Sequence, residues 1–267
     1  ADVSSLDSAT SDSVTDVVAK APVAAGMKSL FIGHSFFRPI AQGMPFHTEQ
    51  AGIVGHTQSI VFSGGASGTP KALWNKQNKR KQIQAILDGG DIELFGMTYE
   101  PSHPTTEGYI KWIDYALSQN PNTRFFIALP WIDVPGFMTP ETYSSLWIEF
   151  HDNDWHDLID TLRADYPKVE IFCIPYGQSA LELRNLYAAG QLPDVSILAS
   201  GKEPAIFKDG KGHPAPILTE LSRLVWLNAI YGVDLETYAY EPDYVTDLKS
   251  MAKSIMDAHH DSYGSHY

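Results

Sequence analysis

A serine with the surroundings of a nucleophile lies near the start of the chain. Ser35 follows the apolar run 29–32 and Gly33, and a helix-like stretch begins beside it. A serine at such a strand-to-helix turn presents its hydroxyl above the sheet, with its N–H near the positive end of a helix dipole. These are the requirements of covalent catalysis by an alcohol with one oxyanion donor in place. The alternative is that Ser35 only caps the helix.

A base that could activate this serine occurs late in the chain. His213 follows Asp209 by four residues, and Gly210 and Gly212 lie between them. A histidine with a near-neutral pKa can take the proton of a serine hydroxyl. A nearby aspartate can fix the tautomer of the ring and stabilise the imidazolium. The alternative is a surface loop that contains an incidental histidine.

Three other segments follow predicted strands and could line the same crevice. The pair Gly64 and Gly65 follows the second strand, where glycines let backbone N–H groups approach a ligand. Three polar residues stand after the third strand: Thr98, Tyr99 and Glu100. Trp131 directly follows the fourth strand, and we expect it to stack on a sugar ring or hold an acyl chain. Considered by itself, each segment could equally be an ordinary loop or turn.

The elements that must position these residues alternate along the chain. Short runs rich in branched and aromatic residues predict five strands, at 29–32, 59–62, 92–97, 125–129 and 169–174. Amphipathic stretches predict helices at about 36–51, 71–87, 106–119, 141–165, 178–189, 215–231 and 242–259. Such alternation predicts one α/β domain over residues 27–267, with parallel strands and helices on both faces. Ligands of such sheets bind beyond the carboxyl ends of the strands. Residues 1–26, rich in Ser, Asp, Thr and Ala, are predicted to be a flexible arm or tether.

Composition limits the function classes. The 267 residues contain 19 lysines and arginines against 32 acidic residues, a net charge of −13. A nucleic-acid partner is not expected, since phosphate neutralisation needs a clustered basic surface. The single cysteine, Cys173, excludes an internal disulfide and a thiolate metal cluster. No apolar run approaches the roughly 18 residues of a membrane span. The chain begins at Ala1 in a segment of small residues, which predicts a signal peptide already removed and a periplasmic or secreted protein.

One further stretch offers metal ligands. Residues 151–157 read His-Asp-Asn-Asp-Trp-His-Asp, and Asp152 and His156, four apart, could share a helix face. A solvated acidic helix is the favoured interpretation. We therefore expect no metal and no organic cofactor.

The motifs, taken in order, resemble the SGNH, or GDSL-like, hydrolase family over about residues 28–232. The blocks that carry the resemblance are Ile32-Gly33-His34-Ser35-Phe36, Gly64-Gly65-Ala66-Ser67 and Asp209-Gly210-Lys211-Gly212-His213-Pro214. The resemblance implies a flavodoxin-like three-layer α/β/α fold with a central five-stranded parallel sheet. It also implies hydrolysis of esters through an acyl-serine intermediate.

By position, the resemblance implies that Ser35 is the nucleophile, His213 the base and Asp209 its orienting acid. The oxyanion donors would be the N–H groups of Ser35 and Gly65, with help from Thr98. Substrate contacts are expected from five residues: His34, Gly64, Tyr99, Glu100 and Trp131. The substrate would be a small-molecule or carbohydrate ester, with O-acetyl groups on a carbohydrate as one class.

Two departures from the family pattern leave alternatives open. Thr98 stands where the family has an asparagine whose amide is an oxyanion donor, and an absent amide costs about 2.7–4 kcal/mol of transition-state stabilisation. Asp209 and His213 are four apart instead of three, so the ring could instead be oriented by a backbone carbonyl. The alternatives are a ligand- or carbohydrate-binding protein on a degenerate hydrolase scaffold, and an acyltransferase with the same serine chemistry.

Overall fold

The computed structural model describes residues 25–101 and 105–265. Five parallel strands form the central sheet: β1 Lys28–Gly33, β2 Thr57–Phe62, β3 Leu94–Thr98, β4 Arg124–Ala128 and β5 Ile171–Ile174. Their spatial order is β2-β1-β3-β4-β5, which is the flavodoxin-like order. The predicted five-stranded parallel sheet is therefore confirmed. Most of the arm predicted over residues 1–26 lies outside the described residues.

Nine α-helices surround the sheet within the described ranges. They are α1 Arg38–Gln50, α2 Pro70–Asn75, α3 Gln77–Leu87, α4 Glu107–Gln119, α5 Pro140–Glu149, α6 His156–Asp165, α7 Gln178–Ala188, α8 Pro216–Tyr231 and α9 Leu248–Ala258. No helix in the described part of the chain combines the length and the apolar character that crossing a bilayer requires.

Consecutive strand residues point to opposite faces of the sheet, and both faces are buried. Phe126 packs against Trp226 of α8 with ring centroids 5.1 Å apart, and its neighbour Phe125 contacts Phe95 on the other side. Phe95 in turn lies 6.4 Å from Trp112 of α4. The helices α8 and α4 thus cover opposite faces, which gives the three-layer α/β/α architecture that the sequence predicts.

The helix boundaries differ from the predictions at four places. The stretch 71–87 is two helices, because Lys76 adopts an extended conformation between them. The stretch 141–165 contains a π-helical segment, Phe150–Trp155, between α5 and α6. The helix predicted from residue 242 begins only at Leu248, where the Asp247 side chain accepts a hydrogen bond from the Ser250 N–H. The helix predicted from residue 36 begins at Arg38.

A second, two-stranded parallel sheet is absent from the predictions. It consists of β6 Ile197–Ala199 and β7 Ala205–Phe207. Three-residue strands carry too little periodicity to be recognised in sequence. The small sheet matters for the site, because β7 ends two residues before Asp209.

Candidate active site

The structure brings Ser35, His213 and Asp209 together although 178 residues separate the first two. The Ser35 Oγ lies 3.0 Å from His213 Nε2, and His213 Nδ1 lies 2.7 Å from Asp209 Oδ2. An ionised carboxylate can only accept a hydrogen bond, so Nδ1 carries the proton and Nε2 is free to accept the serine proton. The three side chains form a relay of the kind that activates a serine for attack.

The four-residue spacing is closed by the turn that holds Asp209. Its Oδ1 accepts hydrogen bonds from the N–H groups of Lys211 at 3.0 Å and His213 at 3.3 Å. Gly212 has a φ of +93°, a conformation that side chains of L-residues rarely adopt, and its N–H donates to the Asp209 carbonyl. The Lys208 N–H donates to the His213 carbonyl at 2.7 Å. The extra glycine thus bulges without separating the acid from the ring.

These contacts also set the charge of Asp209. Partial burial raises the pKa of Asp209, but hydrogen bonds from the His213 ring and from the N–H groups of His213 and Lys211 outweigh burial. The net result is a pKa below the usual value of an aspartate. The carboxylate is therefore ionised near neutral pH and holds the ring in the tautomer described above.

The turn that carries Ser35 shows that this serine is not a helix cap. Helix α1 begins at Arg38, its N-cap is Phe37, and no side chain caps it. The Arg38 N–H donates to the His34 carbonyl at 3.0 Å, which closes the turn around Ser35. The hydroxyl of Ser35 is consequently free to bond to His213.

Ser35 and Gly65 both line the cleft, and each has a backbone N–H group that could serve as a donor there. In the described ranges, neither the Ser35 N–H nor the Gly65 N–H has a hydrogen-bond acceptor. The loop after β2 that carries Gly64 and Gly65 packs tightly on the turn after β1. A Cβ at Gly68 would lie 2.6 Å from the Gly33 carbonyl oxygen, so only glycine permits this approach. Both N–H groups are thus available to a developing oxyanion.

Thr98 does not occupy the place expected of an oxyanion donor. It is fully buried at the end of β3, and its hydroxyl lies 3.2 Å from the Tyr99 carbonyl and 3.1 Å from His34 Nε2. His34 Nδ1 accepts from the Phe36 N–H, so the neutral ring carries its proton on Nε2 and donates to Thr98. The single Thr98 proton is then directed to the Tyr99 carbonyl. The expectation that Thr98 helps to hold an oxyanion is wrong for this geometry.

His34 contributes to the site by fixing its turn. Burial lowers the pKa of His34 to about 4, although Glu100 at 3.9 Å opposes that shift. The ring is therefore neutral near pH 7, and both nitrogens hold neighbouring backbone and side chains. His34 borders the cleft as expected, but as a nearly buried group with its polar atoms already paired.

The cleft in front of Ser35 has a volume of about 770 Å³. Gly64, Glu100 and Trp131, from which substrate contacts are expected, line it, and so does Gly65, the expected oxyanion donor. Tyr99 does not, because its side chain turns into the core and is almost completely buried. The expectation that Tyr99 contacts substrate is therefore wrong.

Trp131 supports the catalytic turn as well as the cleft wall. Only 2% of the residue is exposed, and its indole N–H donates to the Gly212 carbonyl at 2.8 Å. Phe36 stacks on the indole at 5.2 Å and meets the His213 ring edge-on at 5.4 Å. Phe36 is not among the site residues predicted from the sequence, although its position directly after Ser35 indicates a place at the site.

Three apolar side chains, here called the apolar wall, form part of the cleft lining: Met138, Leu146 and Phe150. The polar groups Glu100 and Asp133 line the cleft as well. These three residues are not predicted from the sequence either, because nothing in the spacing of a helix and a π-helical segment indicates which face meets a cleft. The cleft is therefore lined by both apolar and polar side chains.

Comparisons with known proteins show similarity of fold only. No family model matches the chain, and no curated protein matches it. A DUF4886 family protein from Bacteroides uniformis ATCC 8492 is similar, with 15% identity and a TM-score of 0.58, over 86% of this chain and 95% of that one.

Two other solved structures show weaker similarity. A family 3 carbohydrate esterase from Clostridium thermocellum has 12% identity and a TM-score of 0.44, over 85% of this chain and 99% of that one. A putative GDSL-like lipase from Parabacteroides merdae ATCC 43184 has 11% identity and a TM-score of 0.45, over 79% and 98%. With five parallel strands in the flavodoxin-like order and helices on both faces, the chain has a three-layer α/β/α fold, which the similarity to the Bacteroides uniformis structure supports.

Proposed function

We propose that the protein is a serine hydrolase that cleaves carboxylic esters through an acyl-serine intermediate. The observation that carries the proposal is the continuous chain of hydrogen bonds from Ser35 Oγ through both nitrogens of His213 to Asp209. A carboxylate, an imidazole and an alcohol in this order make a base-activated nucleophile. No other serine in the described ranges is hydrogen-bonded to a histidine that also contacts a carboxylate.

In the proposed reaction, Ser35 Oγ attacks the ester carbonyl carbon while His213 Nε2 takes the hydroxyl proton. The N–H groups of Ser35 and Gly65 donate to the oxyanion of the tetrahedral intermediate. His213 then gives its proton to the leaving alcohol, and the acyl-serine remains. A water molecule deprotonated by His213 attacks the acyl carbon, and the acid leaves as Ser35 regains its proton.

The dimensions of the cleft support a small substrate. A volume of about 770 Å³ lies in the range of pockets that take small molecules. The apolar wall of Met138, Leu146 and Phe150 suits an acyl chain or the apolar face of a sugar, while Glu100 and Asp133 can accept hydrogen bonds from hydroxyl groups. An O-acetylated carbohydrate combines these features and is the substrate class that we propose.

The geometry favours catalysis over a scaffold that only binds ligand. The degenerate-scaffold alternative was motivated by the missing asparagine and by the long Asp209–His213 spacing. The spacing is harmless, because the turn places the carboxylate 2.7 Å from the ring. A protein that only binds would have no need for this alignment.

The decisive experiment compares Ser35→Ala with Ser67→Ala, a control serine exposed in the loop after β2. We expect Ser35→Ala to lower p-nitrophenyl acetate turnover by at least about a thousandfold and to abolish labelling by a fluorophosphonate. Ser67→Ala should keep both, and neither change should move the thermal midpoint appreciably. Substantial turnover by Ser35→Ala, or equal loss in both variants, would refute the assignment.

A further inference from the structure

Three histidines cluster outside the cleft, where the mechanism uses none of them. The ring of His151 lies with its centroid 4.7 Å from that of His156 and 6.0 Å from that of His259. His151 and His156 belong to the junction of the π-helical segment with α6, and His259 directly follows α9. The cluster therefore joins two parts of the chain that are about a hundred residues apart.

The π-helical geometry is what brings the first two rings together. In an α-helix, residues five apart are rotated by about 140° around the axis and face different sides. A π-helix pairs residues i and i+5 instead, so His151 and His156 lie on one side of the segment. Single π turns occur frequently at functional sites. Asp152, the neighbour of His151, remains exposed beside them.

Two polar atoms of the cluster lack partners within the protein. Among the described residues, His151 Nδ1 and His156 Nε2 are buried without a hydrogen bond. His259 is only 6% exposed, and a backbone hydrogen bond with Tyr263 acts on its ring. Buried polar atoms are nearly always paired, so two unpaired ring nitrogens in one cluster indicate a bound species. The sequence-based interpretation of a solvated acidic helix does not account for these atoms.

We propose that His151, His156 and Asp152, with His259 beside them, bind one divalent transition-metal ion of the zinc class. Ligand atoms of His151, Asp152 and His156 all lie within 4.8 Å of one another. Tetrahedral coordination with metal–nitrogen distances of about 2.1 Å requires ligand atoms about 3.4 Å apart, which side-chain rotations can reach. Imidazole nitrogens with one carboxylate favour zinc over magnesium or calcium, which prefer all-oxygen sites.

The consequence for the molecule is structural. Phe150, the residue before His151, lines the cleft. An ion held by His151 and His156 would fix the π-helical segment, and a bond to His259 would tie that segment to the end of α9. The site would stabilise one wall of the cleft without taking part in the reaction at Ser35.

The test uses full-length protein freed of metal with a chelator and then dialysed. Calorimetric titration with Zn²⁺, and visible absorption on titration with Co²⁺, measure stoichiometry and affinity. We expect one ion per chain with a micromolar or tighter Kd, and a thermal midpoint raised by about 5 °C at a hundredfold excess over Kd. A Kd weaker than about 100 μM is typical of adventitious binding. If no saturable 1:1 binding with a tighter Kd is found, the proposal is overturned.

Three variants locate the ion. His156→Gln and Asp152→Asn should each weaken Zn²⁺ binding at least about tenfold, whereas His260→Gln should not. His260 is a matched control, because it adjoins His259 but its Nδ1 contacts Ser262. Asp152 is exposed, so its variant keeps the test valid if His156→Gln fails to fold. Unchanged affinity in Asp152→Asn together with weakened binding in His260→Gln would place the ion elsewhere and overturn the proposal.

Discussion

Replacement of Trp131 by phenylalanine separates two roles that this residue could have. The position of Trp131 after β4 suggests, from the sequence, that it contacts substrate. In that role, its substitution would raise KM and leave the free energy of unfolding nearly unchanged. As a brace, it holds the Gly212 carbonyl, one residue before His213, by its indole N–H at 2.8 Å. Trp131→Phe keeps an aromatic ring in the cleft and removes only the donor and part of the ring.

The structure gives the expected magnitudes. Loss of the donor leaves a buried carbonyl unsatisfied, which costs about 1–3 kcal/mol of unfolding free energy. For a chain of this size, we expect the thermal midpoint to fall by about 5 °C. Freed of its brace, the turn that carries His213 can shift, and a displacement near 1 Å costs about a hundredfold in rate. We therefore expect kcat to fall about 10- to 100-fold, with KM changed less than about threefold.

Trp112→Phe is the matched control. The Trp112 N–H donates to the Pro70 carbonyl at 2.9 Å and is equally buried, but on α4, away from His213. Its variant should lose similar stability in urea unfolding and keep its kcat on p-nitrophenyl acetate. If Trp131→Phe raises KM at unchanged stability, or if both variants have the same kcat, the bracing role is refuted.

Three other predictions follow from contacts at the site. Asp209→Asn should lower kcat about a hundredfold at pH 8. This loss is smaller than the loss expected for a buried triad, because water screens the Asp209 carboxylate. A kcat within twofold of wild type would contradict the relay. Thr98→Val should change kcat less than about threefold, whereas a loss of 10²–10³ would restore Thr98 as an oxyanion donor. His34 has a folded pKa of about 4, so between pH 6.5 and 5 only the unfolded chain binds its proton. The unfolding free energy should therefore fall by about 2 kcal/mol as the pH falls over that interval. Urea unfolding of wild type and His34→Gln measures this difference, and identical pH dependences would exclude it.

The convergence of the site was predictable because parallel strands deliver their carboxyl ends to one edge. Ser35 and Gly65 each follow a strand, so the α/β alternation alone places them together. His213 follows no strand of the central sheet. Its placement depended on the family resemblance, and in the structure β7 and the turn at Asp209 carry it to Ser35.

The direction of side chains at the strand ends was not predictable in the same way. Thr98 and Tyr99 lie in or beside β3, whose two faces are both buried, so hydrophobic alternation gives no indication of which residue meets the cleft. The Thr98 side chain lies in the core because its hydroxyl is hydrogen-bonded there, to His34 and to the Tyr99 carbonyl. The apolar wall near Phe150 is set by a π-helical segment, for which no periodic sequence signal exists.

The solvent exposure of His213 and Asp209 bears on which acceptor receives the acyl group, water or the alcohol of a second substrate. The side chains of His213 and Asp209 are 33% and 48% exposed, so solvent reaches part of the relay. An acyltransferase has to exclude water from this position, since water at bulk concentration competes with any acceptor alcohol. Here Trp131 and the paired ring of His34 are buried, while His213 is partly exposed. For the reaction proposed above, we therefore expect water, rather than an acceptor alcohol, to receive the acyl group.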